Sequence, residues 1–160
     1  MADAYLDTSA LIKRYIQEPG TMAVDIIFDK ASDGSLRIAT SAWNVGEGLG
    51  VLDYRRRRGF LKEDEFRVAI RSLTSEFLRL MRIDALQVYP VRTSLLTEAW
   101  SLVLSQHLYQ ADALQVVTCN DSQSKLLITS DELLRKASEE IGLKALDPEK
   151  HERDIRDLFG

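Results

Sequence analysis

The sequence predicts an α/β fold, a three-layer α/β/α sandwich around a central, mainly parallel sheet of four to five strands. Short apolar runs recur at residues 4–6, 36–40, 86–91, 125–128 and 143–146, separated by stretches whose apolar residues repeat at helical spacing. Several of these runs lead straight into a polar residue able to cap a helix, so strand and helix follow one another without a long loop. Strands that alternate with helices pair in parallel and carry helices on both faces.

Taken in order, Ala4 to Leu6 form the first strand and deliver Asp7 to the point where the pattern turns helical. Thr8 and Ser9 are placed to cap the helix that Leu11, Ile12, Tyr15 and Ile16 begin. Glu18, Pro19 and Gly20 break the pattern, and Thr21 opens a second helix with Met22, Val24, Ile26, Ile27 and Phe28, ended by Asp33 and Gly34. The second strand leads into Ser41, a cap for a long helix that carries Trp43, Val45, Leu49, Val51, Leu52 and Tyr54 and runs through Arg55, Arg56, Arg57 and Arg58 to Gly59. Lys62 begins the next helix, with Phe66, Ile70, Leu73, Phe77 and Leu80 or Met81 at helical spacing, so the two read as a helical hairpin. Pro90 makes the third strand an edge strand, because it cannot donate to a central ladder. Thr93 is expected to cap a helix containing Leu95, Leu96, Ala99, Trp100, Val103 and Leu104. After a break at 107–110 come a helix over 111–120, the fourth strand, a helix over 131–141 and a short fifth strand. Trp43 and Trp100 fit apolar faces and are expected in the core, as is Cys119.

A chain of 160 residues with 45% hydrophobic composition is expected to form one domain, residues 1–147. The charged tail, 148–160, keeps Ile155, Leu158 and Phe159 at helical spacing, suited to dock on the domain or on a partner. One cysteine excludes an internal disulfide framework, and the isolated His107 and His151 argue against zinc. No run approaches the roughly 20 apolar residues of a membrane span, and the first residues lack a signal-peptide pattern, so a cytoplasmic location is expected. A net charge of -4 offers no gross attraction to nucleic acid, which leaves the local distribution of charge to decide.

Four acids stand out. Asp7 and Asp131 follow strands, whereas Glu47 and Asp112 lie in helices that a parallel sheet can bring to the same edge. Each of Asp7, Asp112 and Asp131 has an ordinary account as a helix cap or first-turn charge. Glu47 does not, since it shares a half-apolar face with Trp43, Val51 and Tyr54, between glycines 46, 48 and 50 that suggest close backbone approach. Two carboxylates 4 Å apart repel by about 4 kcal/mol at an effective dielectric of 20, so a cluster of such acids calls for a cation. All-oxygen donors favour Mg²⁺ or Mn²⁺, which suits metal-assisted hydrolysis of a phosphodiester.

With LDTSALIKRY around Asp7, Glu47 in the helix after the second strand, ADAL with Asp112 and LLITSDELL with Asp131, the chain resembles the PIN-domain ribonucleases, in particular the VapC-type toxins of toxin–antitoxin pairs. The resemblance runs in order from Ala4 to about Leu146. It implies a PIN-like sheet between helices, an Mg²⁺- or Mn²⁺-dependent endoribonuclease, a homodimer, and a cognate antitoxin whose tail enters the active site. Asp7, Glu47, Asp112 and Asp131 become the catalytic and metal-binding quartet, with Thr8, Ser9 and Thr129 as supporting polar residues. The chain departs from its relatives after Asp112, where Leu114, Gln115, Val116 and Val117 replace a histidine and small alanines. Arg55, Arg56, Arg57 and Arg58, with Arg67 and Arg71 on the next helix, suit either a solvated helix end or the backbone of an RNA. Two alternatives stand beside the toxin: a housekeeping PIN-domain RNA-processing nuclease, and a non-catalytic module whose acids hold a basic partner peptide.

Overall fold

The computed structural model describes residues 2–160. Five strands, β1 (Ala4–Leu6), β2 (Ile38–Ser41), β3 (Leu86–Tyr89), β4 (Leu127–Ile128) and β5 (Ala145–Leu146), form one sheet in the order β3-β2-β1-β4-β5. Every neighbouring pair is parallel, with Tyr5 opposite Ala39 on one side and opposite Leu127 on the other. The expectation of a mainly parallel sheet of four to five strands thus resolves to five strands, all parallel. The helices are α1 (Thr8–Leu11), α2 (Thr21–Ser32), α3 (Ala42–Arg57), α4 (Glu63–Arg82), α5 (Thr93–Gln106), α6 (Gln110–Asp121), α7 (Glu132–Glu140) and α8 (Glu152–Phe159). A 3-10 turn, Ile12–Arg14, extends α1. Among the described residues no helix is long and apolar enough to cross a membrane.

Alternation along the strands sorts the core into two layers. Ala4, Leu6, Ile38, Leu86, Ile128 and Leu146 face α2, α4 and α8, where Val24, Ile27, Phe28, Phe77, Leu80 and Ile155 meet them. Tyr5, Ala39, Leu127 and Ala145 face the other way, onto α5, α6 and α7 with Leu95, Ala99, Ala113, Val116, Cys119 and Leu134. A smaller cluster of Ile12, Leu52, Leu61 and Ala69 ties the α3–α4 hairpin to the turn after α1.

Several local readings are corrected. Asp7, and not Thr8 or Ser9, caps α1, its side chain accepting from Ala10 N. Thr93 is the first residue of α5, whose N-cap Arg92 makes no side-chain capping bond. Ser41 does cap α3, in a reciprocal box with Asn44. Trp43 and Trp100 are 42% and 56% exposed, so neither belongs to the core. The apolar stripes of α3 and α5 are wider than the surface each helix buries, and both indoles fall on the solvent side.

The tail folds back. Ile155 is fully buried and α8 packs on α2, with Phe159 against the same layer. Its return depends on Gly20, which takes φ +88° and lies so near the incoming backbone that a Cβ would sit 2.9 Å from Glu149 N. Replacing Ile155 with Ala should therefore destabilise the whole domain by about 2–4 kcal/mol, lowering Tm by about 5–15 °C in a thermal melt. A melt indistinguishable from wild type would mean that α8 is only loosely attached.

Candidate active site

Strand order reverses at β1, whose partners β2 and β4 lead away in opposite directions, and a crevice opens beyond the carboxyl ends of the strands at such a reversal. A cleft of about 660 Å³ lies there, and Asp7, Glu47, Asp112 and Asp131 all line it.

Asp7 is 3% exposed. Its Oδ1 accepts from Ala10 N at 2.8 Å and from Ser9 Oγ at 2.7 Å, and its Oδ2 accepts from Thr129 Oγ1 at 2.6 Å. Thr129 Oγ1 in turn accepts from Asp131 N at 3.0 Å, and Ser9 Oγ accepts from Ser130 N at 2.8 Å. The turns after β1 and β4 are thus stitched together around one carboxylate. Burial pushes the Asp7 carboxyl up to about 6, against the opposing pull of the bonds from Thr129, Ala10 and Ser9, and the neighbouring Asp131 adds to the rise.

Asp131 is exposed and caps α7, its Oδ1 accepting from Leu133 N and Leu134 N at 2.8 and 2.9 Å. Glu47 is half-buried, and its Oε2 accepts from Thr8 Oγ1 at 2.6 Å. Asp112, in the first turn of α6, is raised by burial and then by Asp131 and Glu47. Among the described residues none of the four acids joins a salt bridge, and no three His, Cys, Asp or Glu side chains close into a ready-made cation cage. Ser130 Oγ, also on the cleft, is buried without a hydrogen-bond partner.

Behind Glu47 lies a buried polar network that the sequence reading missed. Asn44 Nδ2 donates to Thr8 Oγ1 at 3.1 Å and to Gln115 Oε1 at 2.5 Å, while its Oδ1 accepts from Tyr5 OH at 2.8 Å and from Ser41 Oγ. It joins α3, which carries Glu47, to α6, which carries Asp112. The signal was present in Gln115, a polar residue inside an otherwise apolar run, and in the spacing of Ser41 to Asn44. The glycines beside Glu47 admit no close backbone neighbour: a Cβ at Gly48 would meet Ile12 Cδ1 at an ordinary 3.6 Å, and positions 46 and 50 face open space.

Of the six arginines singled out, only Arg55 lines the cleft. Arg56 and Arg57 pair with Asp53, Arg56 and Arg67 with Glu63, and Arg58 lies against the Tyr54 ring. Arg71 is exposed on α4.

These features define an α/β/α sandwich with an all-oxygen acidic cleft at the switch point of its sheet. The PIN domain family model matches residues 4–140, and the chain belongs to that family. No curated protein sequence matches it significantly. Among solved structures it is similar to PAE2754 from Pyrobaculum aerophilum, at 18% identity and TM-score 0.67 over 98% of this chain and 96% of that one. FitAcB from Neisseria gonorrhoeae matches at 16% and 0.63 over 91% and 97%. VapC20 from Mycobacterium tuberculosis, described as a sarcin-ricin loop cleaving toxin, matches at 15% and 0.60 over 84% and 95%. At these identities the likeness is one of fold.

Because the Asp7 carboxyl stands at about 6 in the folded protein and near 3.8 in the unfolded chain, the folded state binds its proton more tightly. Its contribution to stability is fully present below about pH 4 and is lost as pH rises through 6, a loss of roughly 3 kcal/mol at most. Asp7→Asn should therefore be more stable than wild type near pH 7.5, by about 3–10 °C in Tm, with the gap shrinking toward pH 4.5. Melts in EDTA at both pH values check this, and a variant less stable than wild type near pH 7.5 would contradict it.

Proposed function

We propose that this protein is a metal-dependent endoribonuclease, the toxin component of a type II toxin–antitoxin pair. The observation that carries the reading is the convergence of four acids, each without a cationic partner, on one cleft of a PIN domain. Oxygen donors, carboxyls raised by burial and by one another, and the orphaned Ser130 Oγ all fit a hydrated divalent cation. Mg²⁺ or Mn²⁺ suits this open spacing, because Mg²⁺ commonly keeps several waters and takes only one or two carboxylates directly.

When bound, the cation supplies neutralisation of charge developing on the phosphodiester and a more acidic attacking water. Asp7, Glu47, Asp112 and Asp131 would hold it. Thr129 and Ser9 fix the Asp7 oxygens, and Thr8, backed by Asn44, fixes Glu47, so the positions of these two acids are set before binding. Asp7 and its surroundings keep water from one side of the site, since the residue is buried against the sheet edge.

The toxin assignment draws on the resemblance to VapC-type chains and on neighbours that include FitAcB and VapC20. RNA as substrate, a cognate antitoxin, a second copy of the chain and a cytoplasmic location go with it. A second reading, a non-catalytic module that holds a basic peptide, draws on the same unpaired acids and on the absence, among the described residues, of a closed cage.

The test compares wild type, Asp7→Asn and Asp112→Asn on structured and single-stranded RNA with Mg²⁺, Mn²⁺ or EDTA. Cleavage should need the cation and fall by at least about a hundredfold in both variants, with Thr129→Val costing about ten- to a hundredfold. Stoichiometric capture of a basic peptide, with no metal-dependent turnover on any RNA, would favour the binding module instead.

A further inference from the structure

The cleft is not acidic throughout. Along α3 its wall runs from Glu47 past Gly50 and Val51 to Tyr54 and Arg55, a rise of about 12 Å for eight residues. At the far end Glu18 divides its two carboxylate oxygens between two cations, Oε1 at 3.1 Å from Lys13 Nζ and Oε2 at 2.7 Å from Arg55 Nη2. The Lys13 side chain is only 7% exposed and its ammonium also donates to the Pro19 carbonyl, so Lys13 is tied to the interior and serves to neutralise Glu18. Arg55 is 32% exposed on its side chain. One carboxylate against two cations leaves the charge of Arg55 in surplus, held in a fixed position and facing the same cavity as the acids.

Beside it is an aromatic surface. Tyr54 lines the cleft and is 49% exposed, with the Arg58 guanidinium 5.5 Å from the ring centre. Between Tyr54 and the acids the wall is open at Gly50, which has no side chain and nothing within 4 Å of where its Cβ would be, with Val51 beside it. A flexible strand can therefore follow the wall from the acids to the tyrosine without meeting a side chain at position 50. A fixed positive charge next to an exposed ring is the pairing that holds a nucleotide of a single strand, the cation on its phosphate and the ring on its base.

We propose that Arg55 and Tyr54 form a nucleotide subsite for single-stranded RNA, displaced along α3 from the acids, with Glu18 as the counter-charge that tempers Arg55. This rests on the ribonuclease reading above. Arg55 contacts a phosphate other than the one cleaved, Tyr54 stacks a base, and Lys13 acts through Glu18 alone. Arg56, Arg57 and Arg67 pair with Asp53 and Glu63 and are not part of the subsite, whereas Arg58 lies against the Tyr54 ring beside it.

Binding of a fluorescein-labelled single-stranded RNA dodecamer to the full chain carrying Asp7→Asn, in EDTA and over a range of salt, tests this by anisotropy. Adding Arg55→Ala should weaken binding and flatten the dependence of log K on log salt by about 0.7. Adding Tyr54→Ala should weaken binding about five- to a hundredfold, and Tyr54→Phe, which keeps the ring, should restore it. Glu18→Gln should tighten binding, since it frees two cations from their counter-charge, whereas a merely structural Glu18 would give weaker binding. RNA that binds all variants alike, or no RNA binding at all, overturns the subsite, as does weaker binding in Glu18→Gln. Parallel cleavage assays on chains with Asp7 intact separate the two proposals. RNA that binds through Tyr54 and Arg55 but is never cut with any metal sustains the subsite and removes the nuclease. Cleavage with KM unchanged in Tyr54→Ala and Arg55→Ala removes the subsite and leaves the nuclease.

Discussion

A carboxylate buried without a counter-charge is the constraint around which this site is organised. Asp7 leaves the central strand where the sheet order reverses, so it cannot reach bulk water without breaking the strand–helix turn that it caps. Hydrogen bonds from Ala10, Ser9 and Thr129 recover part of the lost hydration, but donors alone do not cancel a charge. The fold therefore holds an unmet electrostatic demand at one point, and Glu47, Asp112 and Asp131 enlarge it. Elsewhere on the surface acids and bases pair freely, as Glu63 does with two arginines and Arg14 with three carboxylates. Among the described residues the absence of such pairing at the four acids is selective, because cations are near at hand: Lys13 and Arg55 line the same cavity and are both held by Glu18.

The supporting residues form two separate systems. One, around Thr129 and Ser9, joins the turns after β1 and β4 and fixes Asp7. The other, around Asn44, reaches from Tyr5 in the sheet through Thr8 to Glu47 and across to Gln115 on α6. Asn44 is fully buried and uses both its oxygen and its nitrogen, so an apolar replacement would strand partners on four elements. Geometry at Asp7 and Glu47 is thus set by bonds whose partners are themselves anchored beneath the site.

Much of this was legible because strand-to-helix grammar is local. The short apolar run before Asp7 and the run before Asp131 each specify a strand end, and the parallel sheet brings such ends to one edge. Phase around a helix is harder to read, since it depends on which neighbours cover it. Trp43 and Trp100 sit on stripes that look continuous in sequence, yet each stripe is only partly covered, and the indoles fall outside. The glycines flanking Glu47 suggested a tight approach by another segment, but positions 46 and 50 face open space. Partners set by tertiary position could not be read locally: Glu18 and Arg55 are 37 residues apart, and although Gln115 stood out as polar in an apolar run, its partner Asn44 lies 71 residues away. The tail was legible as a helix suited to dock, but its sequence left open whether on the domain or on a partner, because its few apolar residues gain meaning only from the α2 face they cover.

The sheet order also bears on when the site can exist during synthesis. β1 is made first, yet one of its two partners, β4, and the Thr129 that bonds Asp7 follow more than a hundred residues later. Long-range parallel pairing is slow to form, and domains fold as units as the chain emerges. Until β4 has left the ribosome, Asp7 lies in an unfinished sheet without its bond from Thr129, and the cleft has no second wall. In a chain of this topology the acidic cleft is consequently assembled only once the last strands are in place.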